Sequence, residues 1–83
     1  MAVYTDILKE LRREKRISQE QMGKIFGISQ TAYSYYETGK RAMRLEMLAK
    51  LADVLDTSTD YILGRTYVEQ PYPKRRNSAF QDQ

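Results

Sequence analysis

The stretch Ser18–Gly39, with the sequence SQEQMGKIFGISQTAYSYYETG, decides the fold of this chain. Ser18 is followed three residues later by a glutamine, which is the pattern of a capping box at the start of a helix. This pattern predicts a helix over Gln19–Phe26. Gly27 then stands where a helix end needs a residue that tolerates positive φ, so we expect the helix to stop there.

A second helix is predicted immediately after the first. Ser29 is a favourable N-cap and Gly39 is a stop signal, and together they predict a helix over Gln30–Thr38. The residues 27–29 are all that separates the two helices, and so short a turn makes them cross steeply. The stretch is therefore predicted to be a helix-turn-helix.

Apolar side chains of both helices are expected to point into one core. Met22, Ile25 and Phe26 lie at helical spacing on the first helix. On the second helix, a projection at about 100° per residue places Tyr33 and Tyr36 on the arc opposite the small polar residues. We therefore predict that these five side chains pack inward.

Three further helices are predicted around this pair. One covers about residues 5–15, where apolar residues recur at helical spacing. The fourth helix carries an apolar stripe formed by Leu45, Leu48, Leu51, Ala52 and Leu55. Thr57 or Ser58 can cap a fifth helix over Thr59–Leu63, which Gly64 ends. Since no strand pattern accompanies them, the predicted fold class is all-α, a compact five-helix bundle.

The end of the chain differs in character from the rest. Residues 66–83 contain both prolines and end in polar residues, so we predict a domain over residues 1–65 and a short extended or disordered tail. The run Lys74-Arg75-Arg76 is expected to be a solvated basic segment. The aromatic residues that could wrap a protein partner or a second subunit are Tyr67, Tyr72 and Phe80.

Composition excludes several classes of protein. The chain has 83 residues, the length of one domain, and it lacks both cysteine and histidine. Zinc sites of the Cys/His kind, cysteine nucleophiles, disulfides and a histidine general base are therefore excluded, and we expect no metal, no cofactor and no enzyme activity. The absence of cysteine suits a reducing cytoplasm. No apolar run is long enough to span a membrane, and the first six residues are unlike a signal peptide.

The charge pattern permits a nucleic-acid partner without requiring one. The net charge is +3 and the isoelectric point is about 9.3. One polar arc of the predicted helix over Gln30–Thr38 carries Gln30, Thr31, Ser34 and Tyr35 and no long charged side chain. Glutamine can bond bidentately to adenine, and threonine can bond a base edge or touch a thymine methyl, so this arc suits the major groove of DNA. The alternative is a polar, solvated helix without a special role.

Candidate phosphate contacts flank the polar arc. Gln19 lies in the first turn of the preceding helix, near free backbone N–H groups and the positive end of the helix dipole. The predicted helix over Gln30–Thr38 is followed directly by Lys40, Arg41 and Arg44. A loop at this place would lie along the sugar-phosphate backbone. Ordinary solvation of a loop is the alternative interpretation of these three residues.

In order and spacing, residues Leu11–Gly64 resemble the phage repressor and Cro type of helix-turn-helix protein, the XRE family. The motifs that carry the resemblance are Leu11-Arg12, Ile17-Ser18-Gln19-Glu20, Phe26-Gly27-Ile28-Ser29, Tyr36-Glu37-Thr38-Gly39, Leu48-Ala49-Lys50-Leu51-Ala52 and Asp60-Tyr61-Ile62-Leu63-Gly64. The resemblance implies a five-helix domain that docks its third helix in the major groove, usually as a symmetric dimer.

The resemblance also implies roles for single residues. The base-reading positions would be Gln30, Thr31 and Tyr35, with Ser34 as a secondary contact. The phosphate contacts would be Gln19, Thr38, Lys40 and Arg41. Arg12 and Glu37 resemble the pair that ties the first helix to the third, which is a structural role.

Four positions depart from the family pattern. Gly23 stands where alanine is usual, and Asp56 stands where glycine is usual. Tyr33 replaces an aliphatic residue, so its pocket must be larger or must let the hydroxyl out. Ala42-Met43-Arg44 replaces a segment that commonly contains proline, and this leaves the path of the phosphate-contacting loop open.

These observations favour a small transcriptional regulator that binds double-stranded DNA sequence-specifically in the cytoplasm, and that is bacterial or phage-encoded. A repressor is the favoured role, and the alternative is an activator, which would use the same site and touch the polymerase. A homodimer would place two recognition helices roughly 34–36 Å apart on a near-palindromic operator. Met43 and Met47, one helical turn apart, are candidates for the dimer contact. The rival hypothesis is an antitoxin or another protein-interaction module with the same fold.

Overall fold

The computed structural model describes residues 4–73, and in this range it contains five helices, α1 (Tyr4–Glu14), α2 (Gln19–Phe26), α3 (Gln30–Glu37), α4 (Leu45–Val54) and α5 (Thr59–Ile62). Among these described residues there is no strand. The prediction of an all-α five-helix bundle is confirmed, and the predicted bounds of α1, α2, α3 and α5 agree to within one residue. The predicted basic run at 74–76 and the aromatic residue at position 80 lie outside the described residues.

Local capping bonds explain where α2 and α3 begin. The Ser18 hydroxyl accepts a hydrogen bond from the Gln21 backbone N–H at 3.0 Å, and the Ser18 backbone N–H donates to the Gln21 side chain at 2.8 Å. These two bonds complete the predicted capping box. Ser29 caps α3 by accepting from the Ala32 backbone N–H at 3.0 Å. Between the helices, Gly27 has a φ of 70°, a left-handed conformation that glycine adopts without steric cost.

The departure at Gly23 has a steric reason. A methyl group at this buried position would lie 2.8 Å from the carbonyl oxygen of Ile28 and 3.2 Å from the carbonyl carbon of Ser29. The Ile28 backbone N–H donates to the Gly23 carbonyl at 2.9 Å, so the turn is held against α2 by its own backbone. Glycine costs about 1 kcal/mol of helix propensity here, and in return α3 starts closer to α2 than an alanine would allow.

The core is formed by eight buried apolar side chains: Leu8, Leu11, Met22, Tyr33, Leu51, Ala52, Leu55 and Ile62. They come from all five helices, so the bundle closes around one centre rather than around the helix-turn-helix alone. Met43 and Met47 are half-buried and pack against this core. These two candidates for a dimer contact therefore pack partly against the core of their own chain.

The prediction that Ile25 and Leu45 face the core is wrong. Ile25 is 41% exposed, because the buried arc of α2 passes through Met22 and Gly23, and at about 100° per residue Ile25 lies beyond the edge of that arc. Leu45 is 81% exposed. It is the first residue of α4, nearly two helical turns ahead of Leu51 and Ala52, the buried residues of this helix.

Tyr33 keeps its hydroxyl inside the protein. Its side chain is completely buried, and the hydroxyl oxygen has no hydrogen-bond partner among residues 4–73. Burial, together with the negative charge of Glu37, raises the pKa of this hydroxyl, so it stays neutral. The larger pocket that the sequence required is present, while Tyr36 is only half-buried.

Two helix ends use a left-handed residue other than glycine. After α1, Arg16 has a φ of 59°, and after α4, Asp56 has a φ of 55°. Aspartate enters this conformation at a lower cost than most residues. The departure at Asp56 therefore keeps the backbone turn that glycine would otherwise provide.

The described part of the predicted tail returns along the domain. We call residues 66–73 the strap. The buried Thr57 hydroxyl donates to the Glu69 carbonyl oxygen, and the Tyr72 hydroxyl donates to Asp60 Oδ2 at 3.0 Å. These bonds hold the strap beside α5. No helix within residues 4–73 combines the length and the apolar character needed to cross a membrane.

Candidate nucleic-acid interface

A buried ion pair joins α1 to the end of α3. Arg12 Nε donates to Glu37 Oε2 at 2.7 Å, and Arg12 Nη2 donates to Glu37 Oε1 at 2.9 Å. The third guanidinium nitrogen, Nη1, donates to the Ile17 carbonyl at 2.8 Å. Glu37 is completely buried and Arg12 is 8% exposed. The structure thus brings together the two residues that the resemblance paired, in the bidentate geometry that arginine and carboxylate favour.

Gln19 links the Arg12–Glu37 pair to α2 as well. Its amide Nε2 donates to Glu37 Oε1 at 3.1 Å. The network therefore ties the first turn of α2 and the last turn of α3 to α1, which fixes how α3 is presented at the surface. The sequence analysis did not predict this bond, because residues 18 positions apart on two crossing helices leave no periodic signal. Gln19 is half-buried, so its side chain also reaches the surface as a phosphate contact would require.

The network is charged at neutral pH. Burial by itself raises the pKa of the Glu37 carboxyl, but the hydrogen bonds from Arg12 and Gln19 and the positive charge of Arg12 lower it further than burial raises it. The net pKa of Glu37 lies below its ordinary value of 4.5. The hydrogen bond to Glu37 raises the pKa of Arg12 despite its desolvation. A buried pair that is satisfied in this way orients α3 rigidly.

The outward face of α3 gathers the predicted base-reading residues. Gln30, Thr31 and Tyr35 are exposed, and Ser34 between them is half-buried. The side chains of Gln30 and Thr31 make no hydrogen bond within residues 4–73, so their donors and acceptors are available to a ligand. The structure thus places these four predicted residues on one side of a short, capped helix.

Two hydroxyl groups of this surface are already engaged as donors. The Ser34 hydroxyl donates to the Thr31 carbonyl at 2.7 Å, and the Thr38 hydroxyl donates to the Ser34 carbonyl at 2.8 Å. Such bonds back to the helix leave each oxygen with acceptor capacity only. A phosphate needs donors, so Thr38 would have to rotate before it could bind one.

Positive charge collects at the end of α3. Lys40, Arg41 and Arg44 are exposed in the loop between α3 and α4. Lys40 Nζ lies 5.6 Å from the centre of the Tyr35 ring, and the Arg41 guanidinium lies 5.9 Å from that ring and 5.7 Å from the Tyr36 ring. Sequence reasoning missed these contacts, because the chain reverses after the helix ends and the usual three- and four-residue spacings no longer apply.

The reversal at the end of α3 also settles the path of the loop. Gly39 has a φ of 82°, and the Arg41 backbone N–H donates to the Tyr35 carbonyl at 3.1 Å. Arg44 then precedes α4 as its N-cap without a side-chain capping bond. The departure from the family pattern at 42–44 leaves the Lys40 and Arg41 side chains beside Tyr35, on the same surface as the polar face of α3.

Known proteins with similar sequences are transcriptional regulators. A model of the helix-turn-helix family matches residues 8–62. The HTH-type transcriptional regulator AnsR of Bacillus subtilis is 42% identical over 69 residues, which cover 83% of this chain and 60% of that protein. No solved structure matches the chain.

Two relatives come from phages. The uncharacterized SPbeta prophage-derived HTH-type transcriptional regulator YonR of Bacillus subtilis is 36% identical over 67 residues, 81% of this chain and 62% of its own length. The cryptic phage CTXphi transcriptional repressor RstR of Vibrio cholerae is 40% identical over 58 residues, 70% of this chain and 52% of its own length. The chain thus spans between about half and about three fifths of the length of each of these three relatives.

Proposed function

This chain belongs to the XRE family of helix-turn-helix transcriptional regulators, which are DNA-binding proteins and not enzymes, and from that premise we propose that it is a sequence-specific repressor. In this proposal α3 enters the major groove of double-stranded DNA. Gln30, Thr31 and Tyr35 contact base edges, with Ser34 as a secondary contact. The phosphate contacts are Gln19, Thr38, Lys40, Arg41 and Arg44.

One observation carries this proposal. On the exposed face of α3, the side chains of Gln30 and Thr31 make no hydrogen bond within residues 4–73, and this face is held rigidly by a buried network and flanked by cations. Short polar side chains can reach base edges, whereas the long cations beside them reach phosphates. A merely solvated helix would need neither a rigid mounting nor cations gathered at one end.

We propose that the protein binds as a homodimer to a near-palindromic operator. Beside the loop that carries Lys40 and Arg41 lies an apolar groove with a volume of about 350 Å³, lined by Tyr4, Ala42, Met43, Leu45, Leu48 and Leu63. Leu45 in this groove is 81% exposed, so a second copy of the chain that covers the groove would bury it.

The dimer proposal is tested by Leu45→Glu. Because Leu45 is 81% exposed, the variant should fold as the parent does. We expect sedimentation to show a shift from dimer to monomer and DNA titration to show weaker operator binding. A variant that stays dimeric would place the interface elsewhere.

Repression and the place of action belong to the proposal as well. RstR is named a transcriptional repressor, and a protein bound at a promoter represses by occupying it. Because the relatives come from bacteria and their phages, we propose that the protein acts in the cytoplasm of a bacterium and that its gene is bacterial or phage-borne.

The experiment that tests specific binding is selection of bound fragments from random duplex DNA. We expect an enriched near-palindrome whose half-sites lie about one helical turn apart, roughly 34–36 Å. The matched control is Gln30→Ala, which removes one base-reading side chain and should relax the preference at one position of each half-site. If the parent protein enriches no sequence, specific DNA binding is wrong.

An antitoxin or another protein-interaction module is the second candidate. Tyr67 in the strap is fully exposed and Val68 is 52% exposed, and exposed apolar side chains that lie next to each other favour a protein contact. A toxin gene beside this one would identify the partner. Co-purification with that gene product, lost in Tyr67→Ala while operator binding is kept, would support this role.

A further inference from the structure

We propose that Arg41 positions Tyr35, so that these two side chains act as one base-reading unit, a role beyond the phosphate contact that the proposed function gives Arg41. This inference rests on the proposed function, in which Tyr35 faces a base. It assigns to Arg41 a part in specificity that its place in a basic loop does not suggest.

The geometry at the end of α3 carries the inference. The Arg41 guanidinium lies over two rings, 5.9 Å from the centre of Tyr35 and 5.7 Å from the centre of Tyr36. Its backbone N–H donates to the Tyr35 carbonyl at 3.1 Å, which fixes the base of the arginine side chain beside the ring. Tyr36 is half-buried and Tyr35 is exposed. Arg41 therefore links a ring that the protein holds to a ring that DNA would meet.

The chemistry of the guanidinium group explains why this link orders Tyr35. A planar, delocalised cation stacks on aromatic faces and can span two rings, whereas a compact ammonium on a flexible stem interacts with one ring at a time. Lys40 Nζ, 5.6 Å from the Tyr35 ring, adds attraction without such a link. A side chain that is ordered before binding loses less conformational freedom when it meets its base.

The two possible roles of Arg41 have different consequences. A phosphate contact weakens binding to all sequences alike when it is removed, and it lowers the dependence of binding on salt. A positioning residue changes the preference at the base pair that Tyr35 contacts. The substitution Arg41→Lys separates the roles, because it keeps the positive charge and removes the planar group.

The experiment uses the full chain, three single variants and one double variant on operators that differ by single base pairs. Tyr35→Ala first identifies the base pair at which Tyr35 discriminates. Arg41→Lys is then titrated against the same operators at several salt concentrations. Arg13→Lys is the matched control, since Arg13 is an exposed arginine on α1 and lies neither on α3 nor in the loop that follows it.

We expect Arg41→Lys to lose about tenfold of the preference at the base pair that Tyr35 discriminates, while its salt dependence and its preferences elsewhere stay as in the parent. We also expect the losses of Arg41→Lys and Tyr35→Ala to be non-additive in the double variant. If Arg41→Lys keeps the parent's preference at that base pair, the positioning role is wrong and specific binding still stands. If the parent protein itself discriminates no base pair, the proposed function fails as well.

Discussion

The buried network under α3 and the exposed face of α3 are built from similar polar side chains, but their hydrogen bonds go to different places. In the network, Arg12, Gln19 and Glu37 satisfy one another within the chain. On the face, the side chains of Gln30 and Thr31 have no hydrogen-bond partner within residues 4–73. The comparison teaches that a polar group with an internal partner holds the fold, and that a rigidly held group without one is free to bind.

The largest effect should come from breaking the network. Arg12→Ala leaves the Glu37 carboxylate buried without its cation, and removal of one partner of a buried pair costs about 3–5 kcal/mol. Small domains have total stabilities of only about 5–15 kcal/mol, so we expect a large drop in the urea midpoint, measured by circular dichroism. The neighbouring Arg13→Ala, an exposed arginine on the same helix, should stay within about 0.5 kcal/mol of the parent. Equal effects of the two variants would contradict the structural role of the pair.

Acid should weaken the same network through Glu37. The pKa of this carboxyl is lower in the folded chain than its ordinary value of 4.5, so the charged pair stabilises the fold above that value. This stabilisation is lost as the pH falls through the folded pKa. Glu37→Gln keeps the shape of the side chain and removes its titration.

The measurement compares unfolding free energies of the parent and Glu37→Gln between neutral and acid pH. The parent should be the more stable at neutral pH, and the difference should shrink as the pH falls below about 4.5. A difference that does not change with pH would mean that Glu37 does not contribute as a charged group.

Substitutions on the exposed face of α3 should have the opposite effect: they should weaken DNA binding and leave folding stability nearly unchanged. We expect Gln30→Ala to leave stability within about 0.5 kcal/mol of the parent and to cost about 1–3 kcal/mol of binding at one base position. Lys40→Ala should weaken binding to all sequences alike and lower the salt slope by about 1. Titrations on single-base-pair operator variants measure both effects. Loss of folding stability in Gln30→Ala would show that this face is part of the fold after all.

Much of the fold could be predicted from sequence because helix ends are decided locally. Ser18, Ser29 and Ser58 each accept a hydrogen bond from a backbone N–H three residues on, and Gly27 provides the positive φ that its position needs. The burial of single side chains depends on neighbours far along the chain. For this reason Ile25 and Leu45 were predicted to be buried and are exposed.

The sequence predicted which residues of the candidate site share a face, but it did not predict the contacts that hold them. Helical spacing placed Gln30, Thr31 and Tyr35 on one face, because spacing determines direction along a regular helix. The bond from Gln19 to the buried pair and the approach of Arg41 to two rings depend on helix crossing and on a chain reversal. Neither of these leaves a period in the sequence, so both required the three-dimensional structure.

The smallest predicted effect concerns the Tyr33 hydroxyl, which follows neither the bonded buried groups nor the unbonded exposed ones. The Tyr33 hydroxyl is buried like the network and, like the side chains of Gln30 and Thr31, lacks a hydrogen-bond partner within residues 4–73. A buried polar group without a partner costs stability, so Tyr33→Phe should raise the unfolding free energy by about 1 kcal/mol and leave operator binding unchanged. Urea unfolding measures this, with Tyr36→Phe as the control at a half-buried ring that should change little. If Tyr33→Phe is instead less stable than the parent, the hydroxyl bonds within the network, most directly with Glu37, and the network then includes the core of α3 as well as its last turn.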